Sequence, residues 1–218
     1  MRPRAALLLL ALVPLAATPA GALELSVEVD SRVGEPRISN SQSTDRLRAR
    51  LLDNRPGLRW RSDHDRTGGL TEAQVQHSIT MEMRMRRTRG DGRVCLEGLD
   101  LDGEVAVDPV TVHIARRYAP GSCPYRVVRA HEMEHVAIWR RFADRVTPVV
   151  RSGLRAAAGE LNGYCARSSG ALQRQVKARL SDAMGVAVRS VYRRARAEHA
   201  EIDSDGSYAA LSGRCEDW

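Results

Sequence analysis

The stretch His131-Glu132-Met133-Glu134-His135 decides how the rest of this chain is interpreted. Positions i and i+4 of an α-helix lie on the same face, so the imidazoles of His131 and His135 can bind one metal ion. Glu132 is turned by about 100° from His131, and its carboxylate can accept a proton from a water molecule on the metal. The pattern therefore predicts a zinc site (Zn²⁺) on a helix, with Glu132 as the general base.

The surrounding sequence favours a helix whose inward face carries both histidines. Ser122 is a good N-cap, and Pro124 fits the first turn. Apolar and imidazole side chains then recur at helical spacing, at Val128, His131, His135, Ile138, Trp139, Phe142 and Val146. The alternative is a pair of core histidines with ordinary hydrogen-bond partners. We favour the metal site, because one shared ion satisfies two inward-facing imidazoles at once.

A catalytic zinc site usually has three protein ligands, so a third must lie elsewhere in the chain. The metzincin arrangement needs a histidine six residues after His135, and Arg141 occupies that position. We predict His199 as the third ligand, with Asp203 accepting a hydrogen bond from the ring nitrogen that does not bind metal. His199 belongs to an inward stripe of the C-terminal helix, formed by Val188, Tyr192, Ala195, His199 and Ile202.

Three acidic residues are alternatives for the third ligand: Glu160, Glu198 and Asp203. Glu160 lies in a predicted loop, where a solvated carboxylate is the more ordinary interpretation. The remaining histidines, His64, His77 and His113, fall in loop or strand contexts. His64 stands between two aspartates and is interpreted as part of a surface cluster.

Residues 1 to 22 are typical of a signal peptide. Arg2 and Arg4 precede an apolar run that ends near Ala17, and Ala20-Gly21-Ala22 supplies the small residues of a cleavage site. The protein is therefore predicted to be exported, to the periplasm or outside the cell. No cysteine lies near the cleavage site, so a lipid anchor is not expected. No segment has the length and apolar character of a membrane span.

The four cysteines, Cys95, Cys123, Cys165 and Cys215, form an even set without a CxxC pair, which is typical of disulfides in an exported protein. We favour the pairs Cys95–Cys123 and Cys165–Cys215, because each would tie a flanking segment to one end of a helical element. The net charge of +7 falls to +5 once Arg2 and Arg4 are removed. Because the basic residues do not cluster with aromatic residues, the charge does not indicate a nucleic-acid partner.

The pattern predicts an α+β fold in which a small antiparallel sheet precedes two long helices. Strands are expected at residues 23 to 29, 79 to 85, 93 to 101 and 111 to 115, with a turn at 89 to 92. Gly103 and Pro109 separate the last two strands, and residues 31 to 43 are expected to form a loop. The first helix runs to about Thr147, with a kink at Pro148. After a break at residues 159 to 163, the second runs from about 170 to 202.

Three units follow along the chain: the signal peptide, an N-terminal segment at residues 23 to 75, and a metal-binding core at residues 76 to 218. The core resembles a domain-of-unknown-function family of secreted bacterial proteins described as zinc-dependent proteases. The resemblance covers residues 93 to 205 and rests on Gly121-Ser122-Cys123-Pro124-Tyr125, the HExxH helix, a later cysteine, and a distal helix with Tyr192 and Glu198-His199. It implies a zincin-like fold and aligns His199 with the family's distal histidine. The chain departs from the family pattern at Arg193, Glu198 and Ala200.

These features predict a secreted zinc peptidase in which Glu132 moves the proton during amide hydrolysis. Tyr192 lies two turns before His199 and is predicted to stabilise the oxyanion. The strand with Thr111 and His113 is expected to be the edge that pairs with an extended peptide or protein substrate. Two alternatives are a hydrolase of cell-wall stem peptides and a non-catalytic envelope scaffold or binding protein whose zinc is structural.

Overall fold

The computed structural model describes residues 22 to 54 and 68 to 216, which form five strands and four helices. The predicted signal peptide, apart from Ala22, and His64 lie outside the described residues. In chain order the elements are β1 (Glu24–Val33), β2 (Arg37–Ser39), α1 (Thr44–Asn54), β3 (Gly69–Arg87), β4 (Val94–Ile114), α2 (Cys123–Gly159), β5 (Cys165–Ala166), α3 (Ser169–Ile202) and α4 (Asp205–Ser212).

Strand β4 is the centre of the sheet. β3 pairs with it antiparallel along nearly its whole length, so β1, β2 and β5 must lie along its other side. β5 is antiparallel to β4, whereas β1 and β2 are parallel to it. The α+β class is confirmed, but the antiparallel sheet predicted from the sequence is wrong, because the sheet is mixed. The turn at residues 89 to 92 joins β3 to β4 as predicted.

β4 is one strand of 21 residues, so the predicted interruption between Gly103 and Pro109 is wrong. Gly103 stays within the ladder, paired with Val29 and Ile79, and atoms of Val29 and Leu154 lie 3.3 and 3.5 Å from where its Cβ would stand. Pro109 falls where the β3 register shifts between Ala73 and Val75. A proline can remain in a strand at such an irregularity, because no ladder partner there needs its missing N–H.

The predicted loop at residues 31 to 43 contains the end of β1 and all of β2. Both are short parallel additions to β4, and a local pattern carries little information about such distant pairing. Together with α1, they join residues 24 to 54 to the same sheet as the rest of the chain. The predicted strand at residues 79 to 85 is confirmed as part of the longer β3.

The two long helices pack against each other and against the sheet. α2 continues through Pro148 to Gly159, so its predicted end near Thr147 is wrong. Proline removes one helical hydrogen bond, but Val146, Val150 and Leu154 continue the fully buried stripe on both sides of it. The predicted break after Gly159 and the long helix α3 are both confirmed.

Both disulfides differ from the predicted pairs, although their number is as expected. Cys95 is bonded to Cys165, and Cys123 is bonded to Cys215. The first bond follows from β5, which places Cys165 directly opposite Cys95 in the sheet. The second ties the start of α2 to the segment after α4. Among the described residues, no helix combines the length and apolar character needed to cross a membrane.

Candidate metal centre

The HExxH segment lies on α2, as the sequence predicts. The Ser122 hydroxyl accepts a hydrogen bond from the backbone N–H of Tyr125, which caps the helix. His131, Glu132 and His135 are 4%, 3% and 7% exposed, so all three side chains are directed into the protein. Buried ionisable groups need partners, and α3 and β3 supply them.

The two imidazoles of α2 converge on a carboxylate at the end of α3. Oδ1 of Asp203 lies 3.0 Å from Nε2 of His135 and 3.4 Å from Nε2 of His131. One ligand atom from each of the three residues lies within 4.8 Å of the others, so this buried group could hold one metal ion. The geometry therefore groups the two histidines with Asp203, one of the alternative third ligands. The sequence had favoured His199 as the ligand, with Asp203 as its hydrogen-bond partner.

His199 is also brought to the site, but it contacts the opposite side of the His135 ring. The two Nδ1 atoms are 2.7 Å apart, and the rings stack with their centroids 5.0 Å apart. One nitrogen must donate and the other accept. If Nε2 of His135 binds a metal, its Nδ1 carries the proton and donates to Nδ1 of His199. In this arrangement His199 fixes the tautomer and orientation of His135.

Glu132 is held by the first residues of β3. The Thr71 hydroxyl lies 2.8 Å from Oε2 of Glu132 and 3.1 Å from its backbone oxygen, and it can donate to either. A Cβ at Gly69 would stand 2.5 Å from Oε1, so the strand approaches this closely only because residue 69 has no side chain. Burial raises the pKa of Glu132, whereas His135, His131 and Thr71 act to lower it. The net pKa is raised.

The same cluster shifts the pKa of His131. Burial alone would lower it, but the Asp203 carboxylate and the negative charge of Glu132 have the larger combined effect. The pKa of His131 is therefore raised, and a proton and a metal ion compete for Nε2 of its ring.

The other two acidic alternatives are held in ion pairs with arginines. Glu160 is exposed and pairs with Arg179. Glu198 is bound by Arg145, Arg141 and Arg194. Chiefly through its hydrogen bond to Arg145, the pKa of Glu198 falls to about 2. Neither belongs to the group that could hold a metal ion.

A small cavity of about 70 Å³ opens beside Glu132 and His135. The described residues that line it are Leu51, Gly69, Leu70, Thr71, Glu132, His135, Trp139, His199 and Asp203. Tyr192 is not among them; its ring packs against Trp139 and Phe142, with centroids 5.9 and 6.4 Å away. Its role as oxyanion donor stays a prediction. Thr71, Gly69 and Leu51 were missed by the sequence analysis, because nothing local relates them to the HExxH segment.

The remaining described histidines lie outside this group. His113 is buried in β4, with Nε2 2.9 Å from the Glu72 carboxylate, whereas His77 is exposed on β3. The expectation that Thr111 and His113 form a peptide-binding edge is wrong, because β2 and β3 pair with β4 on both sides at these residues. On the described part of the chain, the long strand without an outer neighbour beside the site is β3.

Comparison with known proteins adds no relative: no family model, no curated protein and no solved structure matches the chain. The resemblance to secreted zinc-dependent proteases stays a prediction, and the geometry of the site carries the argument alone.

Proposed function

We propose that this protein is an exported zinc-dependent hydrolase that cleaves peptide bonds. One observation carries the proposal: two buried imidazoles and one carboxylate converge beside Glu132, a buried carboxyl group that lines the same cavity. A water-activating metal site needs this combination of a three-ligand group and a separate base. Perturbed ionisable groups that meet in a cavity are typical of catalytic sites.

The donor set is compatible with zinc. Two imidazole nitrogens and one carboxylate oxygen are ordinary zinc ligands, and with three protein ligands the fourth position is left for water. The same donors also bind Fe(II) in oxygenases, so metal analysis of the purified protein is the first measurement. We favour zinc because Glu132 follows His131 directly, as in helical zinc-hydrolase motifs.

A bound zinc ion would lower the pKa of its water to near neutrality and polarise the scissile carbonyl. The chain's own groups would then move the proton. Oε2 of Glu132 is held by Thr71, which leaves Oε1 to accept the proton and later pass it to the leaving amine. His199 keeps His135 in the tautomer that can bind the ion.

The outer edge of β3 is the proposed place for the peptide backbone. Its first residues, Gly69 to Thr71, line the cavity, and among the described strands only β4 pairs with β3. An extended peptide can pair with such an edge through backbone hydrogen bonds. This edge replaces the one that the sequence suggested, and it would place the peptide beside Glu132.

The experiment compares Glu132→Gln with Glu134→Gln in zinc-loaded protein. Glu134 is exposed on the same helix and serves as the matched control. Digestion of a mixed peptide library and of a cell-wall stem peptide is followed for a day by mass spectrometry. We expect Glu132→Gln to bind one zinc ion and to lose cleavage at least about 100-fold, because the general base is absent. Glu134→Gln should match the wild type. Equal cleavage by all three proteins would refute the proposal.

A structural zinc site is the second candidate, because the site is closely enclosed. The exposed fraction is at most 7% for His131, Glu132, His135 and His199. Structural zinc ions are enclosed by four protein ligands and stabilise the fold. This candidate predicts that zinc raises the unfolding temperature, that no peptide is cleaved, and that small metal chelators do not bind without removing the ion. The hydrolase proposal requires an open position that a small hydroxamate can occupy.

A further inference from the structure

The cavity beside Glu132 is too small for the substrate of the proposed reaction. Its volume is about 70 Å³, whereas sites that enclose a ligand of drug size are about 300–1,000 Å³. A few water molecules fit, but a peptide does not. The protein therefore has its site in a closed form, and one wall of the cavity must move before a peptide can reach Glu132.

The described residues form four walls of the cavity, and three of these walls are held firmly by the rest of the fold. α2 and α3 contribute much of the hydrophobic core, and β3 is paired with β4 along nearly its whole length. The fourth wall is α1, which contributes Leu51 to the cavity. Among its residues with described side chains, Leu47 alone is buried. Segments with few buried side chains open at the lowest free-energy cost, so α1 is the wall that moves.

Two contacts between described residues anchor α1. Leu47 is fully buried in the core, and Nη1 of Arg50 lies 2.6 Å from the Glu72 carboxylate on β3. The same carboxylate oxygen is 2.9 Å from Nε2 of His113, which fixes its position. Before α1, Asn40 donates hydrogen bonds to the backbone oxygens of residues 114, 115 and 118. The segment before the helix is thus fixed, whereas Leu47 is the one buried side chain among those described for the helix itself.

We propose that α1 is an autoinhibitory cover over the metal centre, and that a peptide binds only when α1 leaves. The proposal rests on the proposed function, because it concerns access to the same site. It explains how a site built for a macromolecular substrate has its base and both α2 imidazoles at most 7% exposed.

The cover has a consequence that depends on ligand size. When only a fraction of molecules is open, the apparent affinity of a ligand that needs the open form is reduced by that fraction. A ligand small enough for the closed cavity is not affected. Loosening an anchor of α1 should therefore strengthen binding of a large ligand and leave binding of a small one unchanged.

The experiment uses the full mature chain loaded with zinc and two hydroxamate probes, acetohydroxamate and tetraalanine hydroxamate, measured by calorimetry. Arg50→Ala and Leu47→Ala weaken the two anchors. Arg46→Ala, an exposed arginine of the same helix, is the matched control. We expect tetraalanine hydroxamate to bind about two- to fivefold more tightly to Arg50→Ala, since the ion pair is partly exposed. The gain should be at least about tenfold for Leu47→Ala, since a fully buried side chain is removed.

Acetohydroxamate should bind the wild type and all three variants equally, and Arg46→Ala should match the wild type with both probes. Equal affinity of tetraalanine hydroxamate for the wild type, Arg50→Ala and Leu47→Ala would overturn the proposal that α1 covers the metal centre. If Leu47→Ala does not fold, Arg50→Ala alone decides between these outcomes. If acetohydroxamate does not bind the zinc-loaded wild type, the metal has no open position. The proposed hydrolase function is then refuted, and the proposal about α1 fails with it.

Discussion

Replacing Gly69 with alanine tests how closely β3 must approach the proposed general base. The added Cβ would stand 2.5 Å from Oε1 of Glu132, 2.7 Å from its Cγ and 2.8 Å from Cγ1 of Val128. Ordinary carbon contacts begin near about 3.5 Å, so the two carbon atoms overlap the new methyl group by about 0.7–0.8 Å. Both side chains are buried on α2, and the cavity of about 70 Å³ that Glu132 lines is the space into which its carboxylate could move.

The cost has two parts. Overpacking of this kind costs about 1–3 kcal/mol. If Glu132 moves away, its hydrogen bond with Thr71 is lost, and a bond to a charged group is worth about 1.5–3 kcal/mol. Together we expect the free energy of unfolding to fall by about 2.5–6 kcal/mol. For a chain of this size, that lowers the unfolding temperature by roughly 5–20 °C.

Urea unfolding of the metal-free protein measures this cost, and Gly68→Ala is the matched control. A Cβ at Gly68 would meet Cγ2 of Val128 at 3.1 Å, a contact that a small shift relieves. Repeating Gly69→Ala in a Glu132→Ala background removes two of its three close contacts, so the cost should fall to about 1–2 kcal/mol. The reasoning fails if Gly69→Ala costs no more than Gly68→Ala, or costs the same with and without the Glu132 side chain.

Three further outcomes are expected. Asp203→Asn should weaken zinc binding at least about tenfold in calorimetry, because a charged ligand is lost, whereas Glu160→Gln should bind zinc like the wild type. Removing the Cys123–Cys215 bond by double serine substitution should lower the free energy of unfolding by about 2–4 kcal/mol in urea titrations, since the loop it closes is long. The pKa of Glu198 is lower in the folded protein than its ordinary value of 4.5, so its ionised carboxylate stabilises the fold at pH values above 4.5. This stabilisation is lost as the pH falls towards 2. Glu198→Gln should therefore be about 1 kcal/mol less stable than the wild type at pH 6, a gap that narrows as the pH falls below 4.5 and closes only below about pH 2.

Local patterns predicted the two long helices of this protein, but not the shorter helices α1 and α4. α2 and α3 each carry an apolar stripe at helical spacing, and Ser122 and Ser168 cap them as expected of N-cap residues. The convergence of His131 and His135 follows from helix geometry alone, so the burial of both was predictable. The end of α2 was not, because Pro148 usually interrupts a helix and only tertiary packing on both sides of it keeps this one continuous.

Non-local relations were beyond the sequence. The parallel pairing of β1 with β4 and the opposition of Cys165 and Cys95 depend on how distant segments meet. The same holds for the metal group. His199 and Asp203 lie one turn apart at the end of α3, and either could have faced the two imidazoles. The choice of Asp203 depends on where α3 ends relative to α2, which periodicity does not encode.

The metal group joins the start of one long helix to the end of another, so its geometry depends on how firmly those two ends are held together. The bond between Cys123 and Cys215 has a sequence separation of 92 residues, and His131, His135 and Asp203 all lie within the loop it closes. Local opening normally begins at helix ends and chain termini. A covalent link from the first residue of α2 to the segment beyond α3 limits such opening on both sides of the site. The disulfide therefore restrains the carboxylate and the two imidazoles as one unit, whereas α1, the proposed cover, lies outside this loop.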